Sequence, residues 1–128
     1  MHSEAAKWLE FAETDIGVAR HLFNSYHPKP LEIICYHCQQ AAEKAIKAVI
    51  LQDDIPGGLP KKHDLSFLMS QVKNAHAIPD EYYDYADTLS QYGVMARYPN
   101  ELFIEEKNAT QAIHYAEIIL GWAKSCVE

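Results

Sequence analysis

An all-α fold, an up-and-down antiparallel bundle of four long helices and one short one, follows from three features of this 128-residue sequence. Apolar residues recur at spacings of three and four through several long stretches. Segments bearing proline and glycine, at 28–30, 56–60, 79 and 99, interrupt that periodicity. No segment reads as a convincing strand, and no internal repeat or low-complexity tract is present.

The first helix is expected from about Ser3, a suitable N-cap, to Asn24. Trp8, Ala12, Ala19, Leu22 and Phe23 share one face, with Leu9 and Ile16 beside it. Asp15 falls in the middle of that face. A carboxylate among apolar neighbours is costly unless it is paired or hydrogen-bonded. Either Asp15 lies along the helix edge and reaches water, or it meets a cation from elsewhere, with Arg97, Lys44 and His63 as the candidates. Residues 25–30 form a connection, because Pro28 and Pro30 prevent helix continuation. The second helix runs from Pro30 or Leu31 to Leu51, with proline at its first turn. Successive helical residues turn by about 100°, which puts His37, Gln40, Lys44 and Lys47 within roughly 80° of one another. Ile34, Cys38, Ala41, Ala45 and Val49 make an apolar stripe beside them, and Cys35, Ala42, Ile46 and Ile50 widen it to about half the circumference. An ordinary surface helix buries a narrower face, so this one is expected to have neighbours on two sides: its own bundle, with a second subunit as an option for the other.

Residues 53–60 (Asp-Asp-Ile-Pro-Gly-Gly-Leu-Pro) read as a turn-rich loop. Lys61-Lys62-His63-Asp64-Leu65 opens the third helix, which Asp64 can cap and which buries Leu65, Leu68, Met69 and Val72. Residues 74–79 break it. The fourth helix starts near Pro79-Asp80-Glu81, whose acids suit a helix N-terminus, and continues through Tyr82, Tyr85, Ala86, Leu89 and Tyr92/Gly93. Tyr98-Pro99-Asn100 ends this region. A last helix, from Lys107 or Asn108 to Cys126, turns Ala109, Ile113, Ala116, Leu120 and Ala123 inward. Residues 1–128 are long enough for one domain with a proper core.

Composition narrows the functional classes. The apolar runs are far shorter than the roughly 20 residues of a membrane span, and no apolar signal-peptide core opens the sequence. Three cysteines, two of them on one helix, suit reduced thiols in a cytoplasm. A formal net charge of −7 argues against a groove for duplex DNA. The basic residues Lys44, Lys47, Lys61, Lys62 and His63 nevertheless cluster in sequence, apart from the acidic block Asp80, Glu81, Asp84 and Asp87.

Three motifs, Gln40-Ala41-Ala42-Glu43-Lys44-Ala45-Ile46-Lys47, then Lys62-His63-Asp64-Leu65, then Ala96-Arg97-Tyr98-Pro99, appear in an order that resembles the HEPN domain family over nearly the whole chain. The resemblance implies an all-helical, commonly dimeric protein tied to nucleotide or RNA biochemistry. It also implies a minimal nucleotidyltransferase partner in a toxin–antitoxin-like pair. HEPN ribonucleases carry an arginine and a histidine with four to six residues between them. Here Arg97 is followed at those places by Leu102, Phe103 and Ile104, which implies a binding module and no catalytic residues. A divergent metal-independent endoribonuclease and a helical scaffold without a small ligand are the alternatives.

For a nucleotide- or phosphate-binding site the candidates are Asp15, His37, Gln40, Lys44, Lys47, His63, Arg97 and Tyr98. Lysine and arginine would engage phosphate, arginine in bidentate fashion, and His37, Gln40, His63 and Tyr98 would read a base or hold water. The physical case is a set of donors without nearby acids. The bland alternative is that the lysines solvate a helix face while Gln40 and His63 join helices. No cofactor or metal is expected: Cys35, Cys38, His37 and His63 lack recurrent zinc spacing, and the cysteines read as small buried hydrophobes. Gly57-Gly58 is a turn and not a phosphate loop. The tyrosines at 82, 83, 85, 92 and 98, with the wide apolar face, point to a homodimer.

Overall fold

The computed structural model describes residues 3–93 and 103–128. Its helices are α1 (Ser3–Ser25), α2 (Leu31–Gln52), α3 (Leu65–Ser70), α4 (Asp80–Ser90) and α5 (Glu106–Val127), with a 3₁₀ turn at Gln91–Gly93 directly after α4. The result is the all-α bundle that the periodicity predicts, with α4 shorter than the other main helices. The expected end of the fourth-helix region, Tyr98-Pro99-Asn100, lies outside the described residues.

Local chemistry sets the boundaries. Asp64 caps α3 by accepting from the Phe67 backbone N–H at 3.1 Å. At α5, Glu105 and Asn108 form a reciprocal capping box that fixes the helix start. The loop after α2 turns through Gly57 and Gly58, both at positive φ, where a side chain would be strained. The five residues between α1 and α2 allow only an antiparallel return.

Helix α2 is the centre of the molecule and packs against every other element. All nine residues of its apolar arc, from Ile34 to Ile50, are at most 1% exposed. Covering that arc requires α1 on one side and α5 on the other, with α3, α4 and the 3₁₀ turn closing the end. The width of the face is therefore used up inside one chain. It does not call for a second subunit, which its angular span leaves as an option. The burial itself is the main source of stability: truncating Ile46 to Ala costs about 2–5 kcal/mol by the usual behaviour of core aliphatics.

Candidate functional site

Two carboxylates lie at the boundary between the apolar arc of α2 and its polar stripe. Asp15, from the middle of α1, is 8% exposed, and Glu43, on α2 itself, is 5% exposed. Each holds one lysine and one histidine. Lys44 Nζ donates to Asp15 Oδ2 at 2.7 Å, and His37 Nδ1 donates to Asp15 Oδ1 at 3.0 Å. One turn further on, Lys47 Nζ donates to Glu43 Oε2 at 2.9 Å, and His63 Nδ1 donates to Glu43 Oε1 at 2.9 Å. Helical geometry explains the pairing. Positions 37 and 44 are two turns apart and bracket the point where α1 delivers Asp15, while positions 43 and 47 are neighbours at i,i+4. His63 arrives from the residue before the α3 cap, so the local order set by Asp64 also orients the imidazole.

The Glu43 network extends inward. Gln39, fully buried, donates from Nε2 to Glu43 Oε1 at 3.0 Å, and Gln40 donates from Nε2 to Gln39 Oε1 at 2.7 Å. The 3₁₀ turn after α4 lies directly on this amide. A Cβ added at Gly93 would stand 3.2 Å from Gln39 Cδ, so glycine is what permits the approach. Trp8 of α1 covers the other side, its ring 5.7 Å from Lys47 Nζ. Burial alone would raise the Glu43 carboxyl, but the donors on it outweigh that effect, and its pKa is held below the ordinary value of 4.5. Glu43 is thus ionised at neutral pH and acts as acceptor only. His63 consequently carries its proton on Nδ1 and leaves Nε2 as the ring atom available to a ligand.

Six of the eight residues proposed from sequence, Asp15, His37, Gln40, Lys44, Lys47 and His63, share this α1–α2–α3 surface. Asp15 meets Lys44, one of its three candidate partners, and also His37, which was not among them; His63 goes to Glu43 instead. Arg97 and Tyr98 lie outside the described residues. The expectation of donors without nearby acids is corrected: Lys44 faces Asp15 and Lys47 faces Glu43, so these four described groups balance in charge. Glu43 and Gln39 are the residues that sequence reasoning passed over. Their signal was present, because a 100° turn per residue places Gln39 between Ile46 and Ile50 and sets Glu43 roughly 20° beyond Ile50.

Among the described residues no group of three or more His, Cys, Asp or Glu is placed to hold a metal ion. Cys35 and Cys38 are fully buried on the apolar arc. Desolvation pushes the Cys35 thiol up to about 12 and the Cys38 thiol higher still, so neither is a thiolate near neutrality. No described helix is long and apolar enough to cross a membrane.

Comparison with known proteins adds three kinds of relative. The HEPN domain family's sequence model matches residues 5–126. Over 108 residues the chain is 31% identical to the protein named "Putative toxin MJ1304" of Methanocaldococcus jannaschii, an alignment covering 79% of this chain and 67% of that protein. Among solved structures, TT1696 from Thermus thermophilus is similar at a TM-score of 0.79 and 24% identity, over 95% of this chain and 97% of that one. ST0689, an archaeal HEPN homologue, gives a TM-score of 0.75 at 25% identity, over 97% and 98% of the two chains. A HEPN domain protein from Thermotoga maritima gives 0.72 at 22% identity, over 93% and 95%.

Proposed function

We propose, for a chain that belongs to the HEPN domain family, a nucleotide- or RNA-binding module whose contact surface is the polar stripe of α2. The observation that carries this reading is the pair of buried carboxylates, each holding a lysine and a histidine at its rim. Apolar packing would serve stability at least as well as such ionic groups. What the arrangement supplies instead is two fixed imidazoles, His37 on α2 and His63 from the residue before the α3 cap, and two lysines on the α2 stripe. Because Asp15 and Glu43 balance Lys44 and Lys47, an incoming phosphate shares the lysines with the acids. The stripe therefore suits one phosphodiester or a monophosphate with its base, and not a triphosphate or a long duplex.

The relative that carries a toxin's name supports a toxin–antitoxin-like setting for this chain. Within that setting the family resemblance favours a homodimer working beside a minimal nucleotidyltransferase, in the cytoplasm, where three free thiols are at home. Copurification with such an enzyme tests the partnership.

Isothermal titration with AMP, ATP and a short single-stranded RNA tests the binding. The expected result is AMP or RNA binding that falls about tenfold or more in Lys44→Ala and in His63→Ala, from lost charge-assisted contacts. Silence from all three ligands, at millimolar nucleotide and micromolar RNA, would leave the scaffold reading in possession. One observation favours the endoribonuclease reading: a buried carboxylate orienting an exposed imidazole is how a general base is held. RNA cleavage in the presence of a chelator, abolished by His63→Ala, would establish it.

A further inference from the structure

We propose that Phe11 of α1 and Tyr36 of α2 are two base-stacking platforms beside the polar stripe, and that the ligand is therefore single-stranded RNA, two unpaired bases of one strand being seated at once, and not a free mononucleotide. This rests on the nucleotide- or RNA-binding reading above and chooses between its two ligand classes. Phe11 is 53% exposed, Tyr36 is half-buried, and neither ring belongs to the core. Core packing therefore does not account for either of them.

Helical geometry sets both rings beside the stripe. Trp8, Phe11 and Asp15 fall within roughly 60° of one another around α1. Trp8 meets Lys47 and Asp15 meets Lys44, so Phe11, between them on α1, flanks the stretch of α2 from Lys44 to Lys47. Tyr36 lies roughly 20° beyond Lys47 around α2, at the other end of the stripe. Each ring is held by a neighbour that the site itself fixes. Phe11 meets the Trp8 ring edge-on, centroids 6.4 Å apart at 80°, and Trp8 in turn carries Lys47 Nζ. Tyr36 meets the His37 ring edge-on at 5.7 Å and 71°, and His37 is anchored on Asp15. An edge-on contact uses at most one face of a ring and leaves the other to stack. Rings held in place beforehand also lose little freedom when a ligand arrives.

Spacing identifies the occupant. The two platforms stand roughly 13 Å apart along α2. One base cannot touch both, whereas two bases of one strand can. Between the platforms lies Lys44, the cation for the phosphodiester that joins two such bases. Ring faces alternating with cations and polar side chains are how single strands are held: every unpaired base offers a face, and a duplex hides its faces in the stack. A partner protein's helix would instead need an unbroken apolar row, and here Gln40, Lys44 and His37 stand between the two aromatics.

Isothermal titration of the full chain with tetraadenylate RNA, AMP and an abasic ribose-phosphate tetramer tests this. Tetraadenylate should bind about tenfold or more tighter than either of the other two, by the usual worth of stacked bases. Phe11→Ala and Tyr36→Ala should each weaken tetraadenylate binding about fivefold or more. Phe11→Trp and Tyr36→Phe keep a ring and should bind as the wild type does, which separates stacking from any disturbance of the fold. Silence from all three ligands would overturn the binding reading and the platforms together. Tetraadenylate no tighter than AMP, an abasic tetramer that matches it, or full affinity in either alanine variant would overturn the platforms and leave the binding reading standing. An alanine variant that loses self-association or a copurifying protein while RNA affinity holds would give that ring to a protein contact, and overturn its role as a platform.

Discussion

The two carboxylate networks look alike and are built differently. Asp15 reaches from one helix to another: its partners His37 and Lys44 are 22 and 29 residues away in sequence. Glu43 draws Gln39 and Lys47 from its own helix at a spacing of four, and among the described residues only His63 comes from elsewhere. The Asp15 network ties α1 to α2 and belongs to the architecture. The Glu43 network, pre-assembled along one helix, holds a single outside group, an exposed imidazole. The same chemistry thus serves as a clamp in one place and as a mount in the other.

The largest test of that distinction is Asp15→Ala. It strands a lysine and a histidine at the α1–α2 contact, and about 2–3 kcal/mol of unfolding free energy should be lost in urea titration, below the cost of a fully buried pair because Lys44 keeps access to water. Glu43→Ala should cost less, about 1–2 kcal/mol, because Lys47 retains the Trp8 ring and a path to solvent. Reversal of that order would mean that depth of burial, and not reach between helices, sets the cost. The thiols give a kinetic version. Cys38 is fully buried and desolvated, so its labelling by iodoacetamide at pH 8 requires the α1–α2 contact to open and should be negligible in the wild type and clearly faster in Asp15→Ala, while Cys126, only partly buried, should label at similar rates in both.

A smaller effect should appear with acid. The folded pKa of Glu43 is lowered, so its ionised form stabilises the native state. That contribution is fully present above the unfolded value near 4.5 and is lost as pH falls through the lower folded value. Comparing wild type with Glu43→Gln by urea unfolding from pH 7 to pH 3, the wild type should lead at neutral pH and the lead should shrink below about pH 4.5. A gap that stays constant, or widens in acid, would show that the carboxylate's donors do not hold it ionised.

The fold was open to sequence reading because its signals are local. Prolines at 28 and 30, the Asp64 cap and the apolar arc of α2 each act within a few residues, and the helices start and stop close to where those signals place them. Asp15 was legible for a related reason: a charge in the middle of an apolar face must find a partner. Glu43 was harder because Glu-Lys at i,i+4 is the pattern of any solvated helix surface. Only tertiary packing, with Trp8 and the turn at Gly93 closing over it, turns that pattern into a buried acid. The breadth of the α2 face is legible in the sequence and its cover is not, because an apolar arc says how much surface is hidden and not which elements hide it.

The smallest effect on stability should come from the residue most exposed to a ligand. His63 is 67% exposed, so its pairing with Glu43 is screened and contributes little, and His63→Ala should change the unfolding free energy by no more than about 0.5 kcal/mol. It should nevertheless remove the one group that the Glu43 network mounts, and ligand affinity should fall by the tenfold or more argued above. His63→Gln sharpens the test, since a glutamine amide can donate to Glu43 but offers no imidazole Nε2. If the glutamine variant binds as the wild type does, the imidazole is only a strut. If both substitutions weaken binding while stability holds, the mount and the clamp are separable, as their construction requires.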